Sequence, residues 1–413
     1  MSDKTIPEYI YDKIPDLVSK YKTPLQLYDG DGIKNRVDNF IKTFHNNGIN
    51  KFKNYFAVKA LPNPHILKLL LENEYIGLDC SSICELMIAK KLNISPNNII
   101  YTSNYQSDDD LLFAIKYGVI INIDNETYID SINDLCVENN ITFPKNIYLR
   151  INPDLGNTST ETKSNILGGS ESKFGISPDK IIDTYNKALS YGAEYLGMHI
   201  MTGSGVLDLT HFKNLVEIFE NLIKLCLDND IIINCINLGG GIGIPYKPDD
   251  DQIDINEVSK IISKLLKYTD NISMENGRYI TCEYGWLITK INNIKVNDDK
   301  IFYGCDACMS NLMRPGMYNA YHHISIFNKK EDLISVNVVG GLCENNDWFA
   351  KNRLLPKANK NDLLIIHDTG AHSHSMGFQY NGKLRAPEIL YNNDDFKLIR
   401  RRETFEDYIS TII

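Results

Sequence analysis

Eight short apolar runs, each followed by a stretch of helical periodicity, constrain this chain more than any other feature. The runs are residues 55–60, 76–82, 99–104, 119–125, 146–152, 195–201, 234–241 and 272–277, with segments such as HILKLLLENE, ICELMIAKKL and HFKNLVEIFENLIKLCLDN between them. This alternation predicts parallel strands joined by helices. Eight such units predict an α/β chain with a (β/α)8 TIM-like barrel, whose functional groups gather at the C-terminal ends of the strands. After Arg278 the runs YITCEYGWLITKINNIKV, KIFYGCDA, HHISIF, LISVNVVGG and DLLIIHDTG follow closely on one another, which predicts a mainly antiparallel C-terminal β domain. The barrel is assigned to residues 40–280 and the β domain to 281–413 together with 1–39. The position of TPLQLYDGDGI, just before the first barrel strand, leaves it open to either part.

A chain of 413 residues with 43% apolar and 23% charged residues has room for one large core and a smaller second one. Its net charge of −10, with no basic patch, argues against a nucleic-acid partner and for a small-molecule substrate. No apolar run approaches the roughly 18 to 20 residues that span a bilayer. The acidic, proline-interrupted start MSDKTIPEYIYDKIPDLV lacks the apolar core of a secretory signal. The expectation is a cytoplasmic protein with no membrane partner, and nine cysteines without repeating spacing predict reduced thiols.

In NYFAVKALPNPHI, residues 54–66, an apolar run delivers Lys59 and then breaks at two prolines, which places the lysine at a strand end. Asp79, Ser81, Ser82, Arg150, His199, Gly239-Gly240-Gly241 and Glu275 end other candidate strands, so a barrel brings them to one face. Desolvation there disfavours the charged amine and makes Lys59 a nucleophile for a carbonyl; a strand-end lysine also snorkels to solvent. The glycine run lets backbone amides approach a phosphate, or simply makes a tight turn. His199 reads as a functional group or a satisfied core histidine. Glu275-Asn276-Gly277-Arg278 sets a carboxylate and a guanidinium around a flexible glycine, as a working pair or a structural ion pair. Cys305 and Cys308 form a C-x-x-C with His322, His323, His367, His372 and His374 downstream, but zinc sites usually carry two such pairs, and no metal is expected.

As a linear set, YFAVKA, GLDCSSICEL, LRINP, SKFGI, LGMHI, INLGGGIGIPY, ENGR, CDACMSNLMRPGMYNAYHHI, LCENNDWFA and HDTGAHSHSMGFQYNGKLRAPEIL resemble the pyridoxal-phosphate decarboxylases with an alanine-racemase-like barrel. More specifically they resemble the diaminopimelate decarboxylases, from about Thr23 to Arg401. The resemblance implies pyridoxal 5′-phosphate as cofactor, bound by Lys59 as a Schiff base. It implies a carboxy-lyase that converts meso-2,6-diaminopimelate to L-lysine and CO2 in lysine biosynthesis. Glu275 would keep the ring nitrogen protonated, where the resembling racemases place an arginine, and so favour decarboxylation. His199 would pack on the cofactor ring, with Ser204, Gly239, Gly240, Gly241, Gly277 and Arg278 on the phosphate side. Cys343 would reprotonate the product from the neighbouring subunit, which implies a homodimer with shared active sites; an isolated cysteine also reads as a small buried hydrophobe. Glu344 and Asp347 beside it favour function.

Arg314 and Tyr318 match positions that bind the distal carboxylate, a task suited to a planar guanidinium; Arg314 otherwise reads as a surface arginine before a proline turn. Arg278 lies with this substrate set, and Glu344 would meet the distal amine. Three departures stand out. The family's histidine, one residue, Gly-Ser is here His199-Ile200-Met201-Thr202-Gly203-Ser204, two residues longer, with Thr202 taking part of the role. Its Gly-Ala-Tyr is Gly370-Ala371-His372, where an imidazole that titrates near neutral pH replaces a phenol. Its Glu-Pro-Gly-Arg carries Asn276. The competing readings are a D-lysine or D-ornithine decarboxylase of the same fold, against which Arg314 speaks, and a non-catalytic pyridoxal-phosphate carrier, against which Lys59, Glu275 and Cys343 together speak.

Overall fold

The computed structural model describes residues 6–153, 169 and 172–413. Contacts divide the chain into two compact units, one of Arg36–Ile244 and Gln252–Gly277, the other of Met1–Asn35, Pro245–Asp251 and Arg278–Ile413. The span 40–280 assigned to the barrel is interrupted at residues 245–251. PYKPDDD, rich in proline and aspartate, is instead a loop counted with the β unit.

Strand β1 (Leu25–Asp29) lies in the β unit, and β2 (Lys53–Ala57), β3 (Ile76–Cys80), β4 (Ile99–Thr102), β5 (Ile120–Ile123), β6 (Asn146–Arg150), β7 (Tyr195–His199), β8 (Cys235–Asn237) and β9 (Ile272–Met274) close into a parallel barrel. Each apolar run contains one strand, but every strand stops short of its run's end. The trailing residues leave the ladder as loops: β8 ends at Asn237 before the glycines, and β2 at Ala57 before the lysine. Nearly every strand residue is buried, as helices covering one face and neighbouring strands filling the other require. The helices start where side chains cap them: Ser82 accepts the Glu85 N–H, Ser107 that of Asp110, and Asp254 those of Asn256 and Glu257. Among the described residues no helix is long and apolar enough to cross a membrane.

The β unit continues with β10 (Gly285–Asn297), β11 (Lys300–Cys305), β12 (Ile324–Ile326), β13 (Leu333–Val339), β14 (Trp348–Pro356), β15 (Leu363–Ile366), β16 (Glu388–Asn392) and β17 (Asp395–Arg400). Its sheet runs β14-β13-β11-β10-β1-β16-β17, with β15 pairing β10 and β12. Two pairings, β1 with β16 and β11 with β13, are parallel; the rest are antiparallel. Alternation along β10 and β15 builds a core on each face. Trp286, Ile288 and Ile365 join Ile10, Ile14 and Leu17 of the N-terminal helices, while Leu287, Leu364 and Ile366 join Tyr303, Val338 and Phe349.

The barrel closes where β9 meets β2, through the pairs Lys53↔Ser273 and Asn54↔Met274. There the buried Asn54 side chain accepts the Asn276 N–H at 2.9 Å and donates to the Asn276 carbonyl at 3.1 Å. This explains the departure at position 276: a proline has no N–H to give. The Asn276 side chain also accepts the Ile242 N–H at 3.2 Å. Asn54→Ala strands a buried donor and acceptor, so we expect it to destabilise the barrel by about 2–4 kcal/mol in urea unfolding; an unchanged midpoint would show that the seam does not depend on this contact.

Candidate active site

Lys59 is positioned by a turn clamped at both ends. Beyond Ala57 the chain makes one 3-10 turn, Val58–Ala60, with Val58 and Ala60 buried. The prolines then start the next helix: Pro64 takes its first position and the Asn63 side chain accepts the His65 N–H at 3.0 Å. Gly277 lies against this turn, and a Cβ there would stand 2.6 Å from the Ala60 Cβ and 3.3 Å from that of Ala57. The glycine thus serves close approach rather than the flexibility read from ENGR. The desolvated amine expected from the sequence is not found: the Lys59 side chain is 56% exposed, its Nζ 3.7 Å from Asp79 Oδ2. Only its neighbours point into the apolar wall, so the amine stands in the open barrel mouth.

Glu275 follows β9 and is buried. One of its oxygens meets His199 Nε2 at 3.1 Å and the other accepts from Asn237 Nδ2 at 2.8 Å. Burial pushes the carboxyl up, but the His199 ring, Lys59 and the Asn237 hydrogen bond outweigh it and hold Glu275 below its ordinary range. Asp79 goes the other way. Burial and the charge of Glu275 push it up to about 8 although Lys59 pulls it down. Of the two carboxylates, Glu275 keeps the charge and Asp79 the proton. The His199 imidazole is 1% exposed, with Nε2 directed at Glu275.

The three glycines after β8 form a backbone cradle. Gly239 and Gly241 take φ of +64° and +104°, and a Cβ on Gly239, Gly240 or Gly241 would come within 2.8 Å of the Ile200, Glu275 or Gly203 carbonyl oxygens respectively. Ser204 is half-buried in the facing loop. Thr202 is buried, its hydroxyl 3.4 Å from His211 Nε2. Other strand-end residues are structural. Ser82 caps a helix, and Ser81 donates to Glu85 from its N–H and hydroxyl. Arg150 pairs with Asp124 at 3.4 Å and lies 4.2 Å from the centre of the Phe174 ring.

In the β unit two guanidiniums gather on Tyr246. That of Arg314 is 4.5 Å from the ring centre, that of Arg278 is 5.7 Å away, and Arg278 donates to the Tyr246 hydroxyl. Arg314 Nη1 is 2.7 Å from His322 Nε2. Arg314 and Tyr318 begin and end the short helix Arg314–Tyr318, and both are half-buried. His372 is half-buried at φ +53°. Cys343 and Glu344 are exposed, which excludes the buried-hydrophobe reading of the cysteine. Asp347 is not a partner in chemistry. It is buried, accepts the Met309 and Leu342 N–H groups at 2.6 and 2.7 Å, and so pins the loop that carries Cys343. Cys305 lies in an apolar core of the sheet.

A family model described as the pyridoxal-binding domain of pyridoxal-dependent decarboxylases matches residues 31–282. Protein TabA of Pseudomonas amygdali pv. tabaci is 36% identical over 98% of this chain and 94% of its own length. Diaminopimelate decarboxylase of Methanothermobacter thermautotrophicus is 34% identical over 95% and 92%. The chain belongs to the pyridoxal-dependent decarboxylases. Among solved structures, diaminopimelate decarboxylase from M. jannaschii in complex with L-lysine superposes with a TM-score of 0.88 at 30% identity, covering 96% of this chain and 94% of that one.

The cofactor of this decarboxylase is pyridoxal phosphate, and the barrel residues fit it. A carboxylate kept ionised suits a protonated pyridine nitrogen and an accessible amine suits an aldehyde, while the glycine run is required by its close packing on the Ile200, Glu275 and Gly203 carbonyl oxygens. Sequence reasoning missed Asn237 and gave Asp79 no role. A signal for Asn237 existed: it is the polar member of an apolar run, paired directly across from His199. The sign of Asp79's linkage follows from its raised value. Its stabilising contribution is complete below the ordinary 3.8 and is lost as pH rises towards about 8. The stability of the cofactor-free decarboxylase is expected to fall across that window, and Asp79→Asn to flatten the fall. Urea unfolding over the same range checks this, and an equal slope in both proteins would contradict it.

Proposed function

We propose that this decarboxylase converts meso-2,6-diaminopimelate to L-lysine and CO2, as a cytoplasmic homodimer of lysine biosynthesis. The observation that carries the substrate choice is the pair of guanidiniums on Tyr246. Arginine binds a carboxylate bidentately, so Arg314, with Arg278 and Tyr318, suits a substrate carrying a second carboxylate at its far end. A diamine product's far ammonium would call for an acid there. The relatives named as diaminopimelate decarboxylases, one crystallised with L-lysine, support the same substrate.

Each residue then has a task. Lys59 binds the cofactor aldehyde through its amine, and Glu275 holds a proton on the ring nitrogen. Gly239, Gly240, Gly241, Ser204, Gly277, Arg278 and His372 serve the phosphate. Bound pyridoxal phosphate supplies the electron sink for the carbon left when CO2 departs. His199 and Asn237 keep Glu275 charged. The Cys343 thiol returns a proton to that carbon and Glu344 meets the distal amine, both reaching the site from the neighbouring subunit. Their exposure, on a loop pinned by Asp347, supports this arrangement.

Lys59→Ala is expected to abolish the absorbance of lysine-bound cofactor, and Cys343→Ala to slow turnover far more than cofactor binding. Mixing the two inactive variants should restore up to about a quarter of wild-type activity if sites are shared; no restoration would assign the thiol to its own subunit. Arg314→Ala should cost about 2 kcal/mol or more, roughly thirtyfold, in kcat/KM on the dicarboxylate while sparing D-lysine. A wild-type preference for D-lysine over meso-diaminopimelate would defeat the substrate proposal, and absence of CO2 release from loaded protein would defeat the enzymatic one.

A further inference from the structure

Between His199 and Ser204 stands a side chain to which no role above is given. Beyond β7, Ile200 and Thr202 are buried and Met201 between them is partly exposed. Met201 lies two residues beyond His199, just past the C-terminal end of β7. Its Sδ accepts the Gly240 N–H at 3.1 Å, and a Cβ on Gly239 would meet the same sulfur at 2.8 Å. Gly240 in turn lies on the Glu275 carbonyl, which a Cβ there would approach to 2.6 Å. The thioether therefore borders the glycine run where it passes the Glu275 backbone.

We infer that Met201, not His199, is the side chain that packs on the face of the cofactor's pyridine ring. The inference rests on the reading of Glu275 as partner of the ring nitrogen and of Gly239–Gly241 as the phosphate cradle. The Met201 sulfur, at the Gly240 N–H, stands beside the glycine run that such a ring would approach. Thioethers pack favourably on aromatic rings and carry no titrating group, so this contact holds at any pH at which the protein is folded. The register of the loop agrees. Counted back from Gly203-Ser204, Met201-Thr202-Gly203-Ser204 matches histidine, one residue, Gly-Ser without any lengthening, and His199 is released to hold Glu275.

The test uses the full-length protein with 13C-methyl methionine. The Met201 methyl resonance is assigned by its loss in Met201→Leu, a replacement of similar volume. Saturation with pyridoxal phosphate, and separately with pyridoxal, which lacks the phosphate, is expected to move that resonance upfield through the ring current. Met201→Ala should weaken binding of both ligands by up to about tenfold, with circular dichroism unchanged. A resonance that stays in place with cofactor bound overturns the inference, as does an affinity loss confined to the phosphate-bearing ligand, which would tie Met201 to the cradle alone. Two companions test the underlying reading separately: Glu275→Gln should change the absorbance of bound cofactor, and Gly240→Ala should weaken pyridoxal phosphate more than pyridoxal. If these hold while Met201 fails, only the ring contact is wrong.

Discussion

Glu275 stays charged inside an apolar barrel, and the rest of the site is arranged around that fact. An isolated buried carboxylate would take up a proton. Two hydrogen-bonding neighbours prevent it, His199 from the end of β7 and Asn237 from the end of β8, with the Lys59 charge nearby. These groups come from adjacent strands in register, His199 directly opposite Asn237, so the closed ladder sets their spacing. The residue after Glu275 is fixed by Asn54 across the barrel seam. One closed ring of backbone hydrogen bonds therefore positions the acid, its partners and the glycine cradle together.

Asp79 shows how the same surroundings give a second carboxylate the opposite state. It is as buried as Glu275 but lacks an equivalent pair of donors, and the charge already present on Glu275 opposes another. Its proton removes the repulsion that a second negative charge would meet from Glu275. Two chemically similar groups are thus set apart by neighbouring charges and hydrogen bonds rather than by depth.

The architecture was legible in the sequence because parallel strands buried on both faces leave continuous apolar runs, and all eight are there. The polar residues at their ends were legible too, since a charge after such a run has few places to go. What could not be read was which side chain each polar group meets. His199 was visible, but its orientation towards Glu275 depends on β7 lying two strands from β9, a fact of closure rather than of spacing. The exposure of Lys59 escaped because burial of Val58 and Ala60 says nothing about a long side chain between them. Asp347 looked functional beside Cys343, yet its oxygens accept the amides of Met309 and Leu342. Nothing in ENGR alone shows that the Asn276 N–H serves the barrel seam.

The position of β1 also bears on how the molecule is assembled. This strand lies between β10 and β16, so its two ladder partners come from far later in the chain. As the polypeptide emerges from the ribosome, β1 waits with both edges unpaired while the sequence of the whole barrel is made, and its second edge is covered only once Glu388–Asn392 follows. An early stop anywhere before Glu388 therefore leaves an open strand edge of the kind that recruits foreign strands, and nascent chains of this protein carry that hazard at their first strand rather than their last.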